Sequence, residues 1–115
     1  MREERGQISG DVVVYEPFTL WGSVVGKVTV VSGGKFYARG TIYGDLIVEN
    51  GGRVHIFGNI QGGLTLHEGT KVIHSGTIGG DVYNLGGRLL IEKVSKVGGK
   101  VKTKSGETTY EGGPP

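Results

Sequence analysis

Four cations stand at nearly equal intervals along this 115-residue chain: Lys35, Arg53, Lys71 and Arg88. If the interval is one turn of a coil, they form a single outward column at strand spacing, about 4.8 Å. Like charges stacked this way repel, so the column asks for a reason. One reading is a linear anionic partner, an anionic polymer or an acidic membrane surface. The plainer reading, which the sequence favours, is solvation with Glu49, Glu68 and Glu92 as neighbouring acids. His55, His67 and His74 invite a metal. However, His55 and His67 project outward from different strands, and His74 takes the place of an aliphatic in an inward column, as a hydrogen-bonded core histidine does. Glycines 10, 26, 44, 62, 80 and 99 have the composition of a phosphate cradle. No Walker string, strand-GxGxxG-helix context or following helix accompanies them. No Ser-His-acid set, no paired carboxylates in a predicted cleft and no long loop to wall a pocket emerge from the sequence. The chain is read as not an enzyme, with no cofactor, no metal and no nucleic-acid partner.

What positions these residues is a repeat. Gly22 to Arg39, Gly40 to Phe57 and Gly58 to Ser75 are three consecutive 18-residue blocks, each opening on Gly and carrying Ile or Val two residues later. Two aliphatics, a Gly-containing corner, a basic residue and an apolar residue follow in each. A fixed period of this size marks a solenoid, whose repeats bury an apolar face only by stacking on neighbours. Within a block apolar residues alternate with polar ones, the strand period. The fold class predicted is an all-β, single-stranded parallel β-helix of about six coils, three-sided, with helical content near zero. Handedness is open from the period, because left-handed hexapeptide helices share it.

Taken in order, residues 1–5 read as a short solvated charged arm, residues 6–110 as the β-helix and residues 111–115 as a Gly/Pro tail. The first coil is two residues short, with the deficit around Glu16 and Pro17. Coil five loses one residue before Gly86-Gly87 and gains two near Val94, which leaves its register around Tyr83 to Leu85 undetermined. Stacking the blocks gives four inward columns. The first is Ile8, Val24, Ile42, Ile60, Ile78, Val97, and the second Val12, Val28, Leu46, Leu64, Val82, Val101. The third is Phe18, Phe36, Val54, Val72, Leu89, and the fourth Leu20, Ala38, Ile56, His74, Ile91. An outward column of both signs, Asp11, Lys27, Asp45, Gly63, Asp81, Lys100, looks like a self-neutralising edge that fixes register.

A solenoid end exposes unpaired strand groups over an apolar section, an edge that proteins normally cover. The sequence therefore points to self-association. At the N-end the expected surface is Val12, Val14, Phe18 and Leu20 with Trp21 outside them; at the C-end it is Val101, Thr103, Thr108 and Tyr110. The closing prolines, Pro114 and Pro115, would limit addition there. An N-end to N-end dimer and a filament both remain open.

Composition agrees. Glycine, 24 residues, is about three times its usual share and lacks the every-third-residue period of collagen. The absence of cysteine removes disulfides and thiolate metal sites. The net charge of +2 is too small to imply nucleic acid. MREERGQ has no apolar run and no stretch approaches a membrane span. The expected setting is the cytoplasm, with any membrane association supplied by partners.

The repeat GxIxGDVxVxxGGxV, present as GTIYGDLIVENGGRV and GTIGGDVYNLGGRL, resembles the bactofilins, polymer-forming bacterial cytoskeletal proteins. The resemblance spans Gly6 to about Tyr110. It implies a right-handed three-sided β-helix that assembles end to end without nucleotide, serves as a scaffold in cell shape and works beside envelope or membrane-associated proteins. MREERGQ differs from the short apolar N-terminal membrane-targeting motif of many members.

Overall fold

A computed structural model describes residues 2–112. Their regular structure is entirely strand, wound as a three-sided parallel coil. With strands numbered along the chain, side one stacks β2 (Gln7–Ser9), β5 (Ser23–Val25), β8 (Thr41–Ile42), β11 (Asn59–Ile60), β14 (Thr77–Ile78) and β16 (Lys96–Val97). Side two begins with β3 (Val12–Val14), β6 (Val28–Val30), β9 (Leu46–Val48) and β12 (Leu64–Leu66). Side three begins with β1 (Arg2–Glu4), β4 (Pro17–Leu20), β7 (Lys35–Ala38), β10 (Arg53–Ile56) and β13 (Lys71–His74). Two longer strands, β15 (Val82–Ile91) and β17 (Val101–Tyr110), run through the corner between sides two and three and complete both.

Every pairing is parallel, and the register places like residues on like. Arg53 lies between Lys35 and Lys71, Val54 between Phe36 and Val72, and Ile60 between Ile42 and Ile78. β-Branched residues suit such half-buried pleated surfaces. All four predicted inward columns are present, and their middle members are buried. A fifth, Val14, Val30, Val48, Leu66, Asn84, Thr103, was not picked out from the sequence.

The glycine period has two physical origins. At Gly40 a Cβ would collide with the backbone carbonyl oxygen of Gly22 in the coil before, so the corner stacks this closely only without a side chain. At Gly51 the need is conformational: φ is 85°, in the left-handed region that glycine enters freely.

Irregularities fall where the sequence puts them. Gln7 pairs with Ser23, a step of 16, whereas Pro17 pairs with Lys35, a step of 18, so the first-coil deficit lies at the corner before Pro17. Lys71 pairs with Arg88, a step of 17, and Thr77 with Lys96, a step of 19. Asn84 resolves the register of coil five. It is fully buried in a slot that is aliphatic in the coils before it, and its side chain turns the shortened corner. Its Oδ1 accepts the N–H groups of Gly86 (3.1 Å) and Gly87 (2.8 Å), while Nδ2 donates to the carbonyls of Gly87 (3.1 Å) and Glu107 (3.0 Å).

One expectation is corrected outright. The charged segment is not a solvated arm outside the coil. Arg2–Glu4 pairs with Phe18, Thr19 and Leu20 as the first strand of side three. It hydrogen-bonds through its backbone to the edge of β4, and the side chains add contacts. The Arg2 guanidinium sits 4.7 Å over the Phe18 ring, and the Trp21 indole N–H donates to Glu3 at 2.9 Å.

Candidate functional site

The two ends of the coil are chemically unequal. At the N-end the outermost strands are β1, β2 and β3. Val12 and Val14 lie on that edge, but Phe18 and Leu20 lie one layer beneath it, covered by β1 and almost without exposure. They are core residues, which corrects the expectation that they form the N-terminal face. Trp21 does remain outside, 42% exposed. The covering strand reads Arg-Glu-Glu, the charged edge with which sheets discourage addition. Apolar exposure at this end comes instead from Val13, Tyr15 and Val25.

At the C-end the last strands are β16 and β17. Ile91, Val97, Val101 and Tyr110 surround an open concavity of about 540 Å³, rimmed by Glu92, Lys93 and Glu111. Val97, Val101 and Tyr110 pack against the core while staying only half-buried. The two threonines predicted here lie on β17, the last strand. Thr103 and Thr108 share a hydroxyl hydrogen bond of 2.6 Å, and Thr108 also accepts from Asn84 Nδ2 at 3.1 Å. They close the polar corner of the last coil, with Thr103 exposed and Thr108 half-buried. The predicted effect of Pro114 and Pro115 lies outside the described residues.

The mixed-charge column fixes register through the backbone, not by pairing side chains of opposite sign. A carboxylate oxygen of Asp11 accepts the Lys27 N–H at 3.0 Å, Asp45 that of Gly63 at 2.8 Å, and Asp81 that of Lys100 at 2.8 Å. The Lys100 N–H bond holds the Asp81 carboxyl below its usual range; slight desolvation opposes this, and Tyr83, Lys102 and Lys100 reinforce it.

The corner after side three carries a ladder that sequence reading missed. Arg5 and Arg39 each lie 5.1 Å from the Trp21 ring, Arg39 is also 4.2 Å over Phe57, and Phe57 stacks on His55 at 3.8 Å. His55 Nε2 is 3.0 Å from the Ser75 hydroxyl, which donates to Glu92 Oε1, and that oxygen is 3.8 Å from His55 Nε2. Serine, histidine and carboxylate are thus brought together, which corrects the expectation that no such set exists. The arrangement is not a nucleophile relay. There the carboxylate holds Nδ1 while the hydroxyl faces Nε2; here both approach Nε2. Burial pushes the His55 pKa down, Glu92 pulls it back up and Arg39 lowers it. The spacing that unites these residues spans three coils and crosses the irregular one, so no short motif carries it.

The three histidines do not converge, and no group of three or more potential ligands gathers among the described residues. His74 is fully buried, with Nε2 hydrogen-bonded to the Lys96 carbonyl at 2.9 Å and Nδ1 without a partner. Burial lowers its pKa, and the bond to Lys96 partly opposes that. Among the described residues no helix is long and apolar enough to cross a membrane. No protein-family model, curated protein or solved structure matches the chain.

Proposed function

We propose that this protein is a structural scaffold that associates with itself end to end, in the manner of the bactofilins its repeat resembles, in the cytoplasm and without nucleotide or catalysis. The observation that carries this reading is the C-end. The final coil leaves two strand edges unpaired around an apolar concavity of about 540 Å³ floored by Ile91 and walled by Val97, Val101 and Tyr110. An unpaired parallel edge over apolar side chains is a template for another strand. The sides offer no equivalent, because their backbone groups are already spent within the coil.

The test uses Val101→Arg, which places a charge in the wall of that concavity, at the half-buried last position of an inward column. Joining the ends would trap the charge at a dry junction. The unmodified protein is expected to form dimers or fibres with rising concentration, by light scattering and electron microscopy. Val101→Arg should retain the same β-type circular dichroism and lose the filaments. A wild-type chain that stays monomeric at high concentration would refute the scaffold reading.

A further inference from the structure

We propose that side three is a binding face for an extended acidic polysaccharide, a chain bearing one carboxylate per sugar ring. Lys35, Arg53, Lys71 and Arg88 are direct register neighbours on four successive strands, and all four are exposed. The acids expected to neutralise them do not. Among the described residues no Lys or Arg lies within 4.0 Å of a carboxylate, and the one close acid-base pair is His55 with Glu92 at 3.8 Å. Glu107, the register partner of Arg88, accepts the Thr109 hydroxyl at 3.3 Å instead. Lys35 lies 5.8 Å over the Tyr37 ring, a weak contact that leaves its charge unneutralised. Four like charges therefore stand in single file about 4.8 Å apart, a repulsive arrangement that an anionic chain laid along the file relieves.

The shape beside the file narrows the choice of anion. A parallel column of Tyr37, His55, Ile73 and Leu90 is half-buried, so it is recessed behind the cations. Between the two columns run shallow troughs of about 210 Å³, by Lys35, Tyr37, Arg53 and Ile73, and about 300 Å³, by Lys71, Arg88 and Leu90 with the Glu107 side chain at its C-terminal end. A uronate chain repeats its charge once per ring, on the scale of the strand spacing. It offers carboxylates to the guanidinium forks of Arg53 and Arg88 and apolar ring faces to the recessed side chains. A flat bilayer would touch the cations and leave the troughs empty. Duplex nucleic acid presents two helical rows of phosphate, and a single strand needs a stacking ring at successive bases, where this column supplies Ile73 and Leu90.

The experiment measures binding of an oligogalacturonate by titration calorimetry at low and high salt. A neutral galactan oligomer, vesicles containing phosphatidylglycerol and single-stranded DNA serve as comparisons. The expected result is oligogalacturonate binding that weakens with salt, no galactan binding, and loss of about tenfold or more in affinity in Arg53→Ser/Lys71→Ser, which removes two charge-assisted contacts. That variant should melt no lower than wild type, since like-charge repulsion falls, and should self-associate unchanged, so that failure here is distinct from failure of the scaffold reading. Absence of oligogalacturonate binding, binding indifferent to the double substitution, or tighter binding to vesicles or DNA would each overturn the proposal.

Discussion

His74 makes the coil sensitive to mild acid, and replacing it with leucine should remove that sensitivity. The imidazole is fully buried between Ile56 and Ile91 in an inward column, donates through Nε2 to the Lys96 carbonyl, and leaves Nδ1 unpaired. Burial sets its folded pKa below the ordinary imidazole value of about 6.5. As pH falls below about 6.5, the unfolded chain takes up a proton before the folded chain does, so the stability present above that pH declines until the folded pKa is passed. Above pH 7 the balance is different: His74→Leu relieves an orphaned acceptor, about 1–3 kcal/mol, and gives up one hydrogen bond, about 1 kcal/mol. Leucine should therefore match or exceed the wild type by about 1 kcal/mol at pH 7.5. Urea unfolding followed by circular dichroism at pH 7.5 and 5 measures both terms. His55, also shifted down by burial, contributes a slope of the same sign in both proteins, so the difference between the two isolates His74. Equal pH dependence in wild type and His74→Leu would refute the reasoning.

Three further outcomes are expected. Gly40→Ala should destabilise by about 1–3 kcal/mol, the cost of overpacking, in thermal melts, because the new Cβ meets the Gly22 carbonyl. Asn84→Leu should cost at least about 2 kcal/mol despite its apolar surroundings, since it strips the acceptor from the Gly86 and Gly87 N–H groups; urea midpoints measure it. Asp81 should stay ionised to lower pH than an ordinary aspartate, so its contribution, present above about pH 4, is lost as pH falls through the depressed folded value. Asp81→Asn should remove that part of the acid-unfolding curve, and carbon-detected NMR titration should show the shift.

The fold was legible because periodicity is a long signal. Eighteen-residue steps set the register of whole columns, and even the short first coil and the uneven fifth were visible from spacing alone. Apart from the column Val14, Val30, Val48 and Leu66, which has both apolar character and a nearly constant step, most of what escaped detection lacked one or the other. Arg2–Glu4 has no hydrophobic pattern and is ordered by backbone pairing to a ready edge, a force that leaves no trace in side-chain type. Its capture buries Phe18 and Leu20, so an end inferred from apolarity alone was placed one strand too far in. Asn84 falls in the stretch whose register spacing left undetermined, and it occupies a core slot where its amide bonds the backbone of the shortened corner. His55, Ser75 and Glu92 meet only through the shifted coil. By contrast Arg5, Trp21, Arg39 and Phe57 recur close to the period, and extending the alignment to that corner would have revealed their ladder.

Among the described residues, side three holds seven strand segments and sides one and two hold six each, since the chain both enters and leaves on side three. The described coil is thus a whole number of turns plus one side. Two copies joined head to tail without rotation would meet on side three and leave a vacant layer on the other two. A junction that continues the spiral without a gap instead turns each copy by about one third of a revolution, so that three copies complete a repeat. Such a filament would have threefold screw symmetry in its surface chemistry: the cation file of side three would not run straight along it but step around the axis, facing each of three directions in turn.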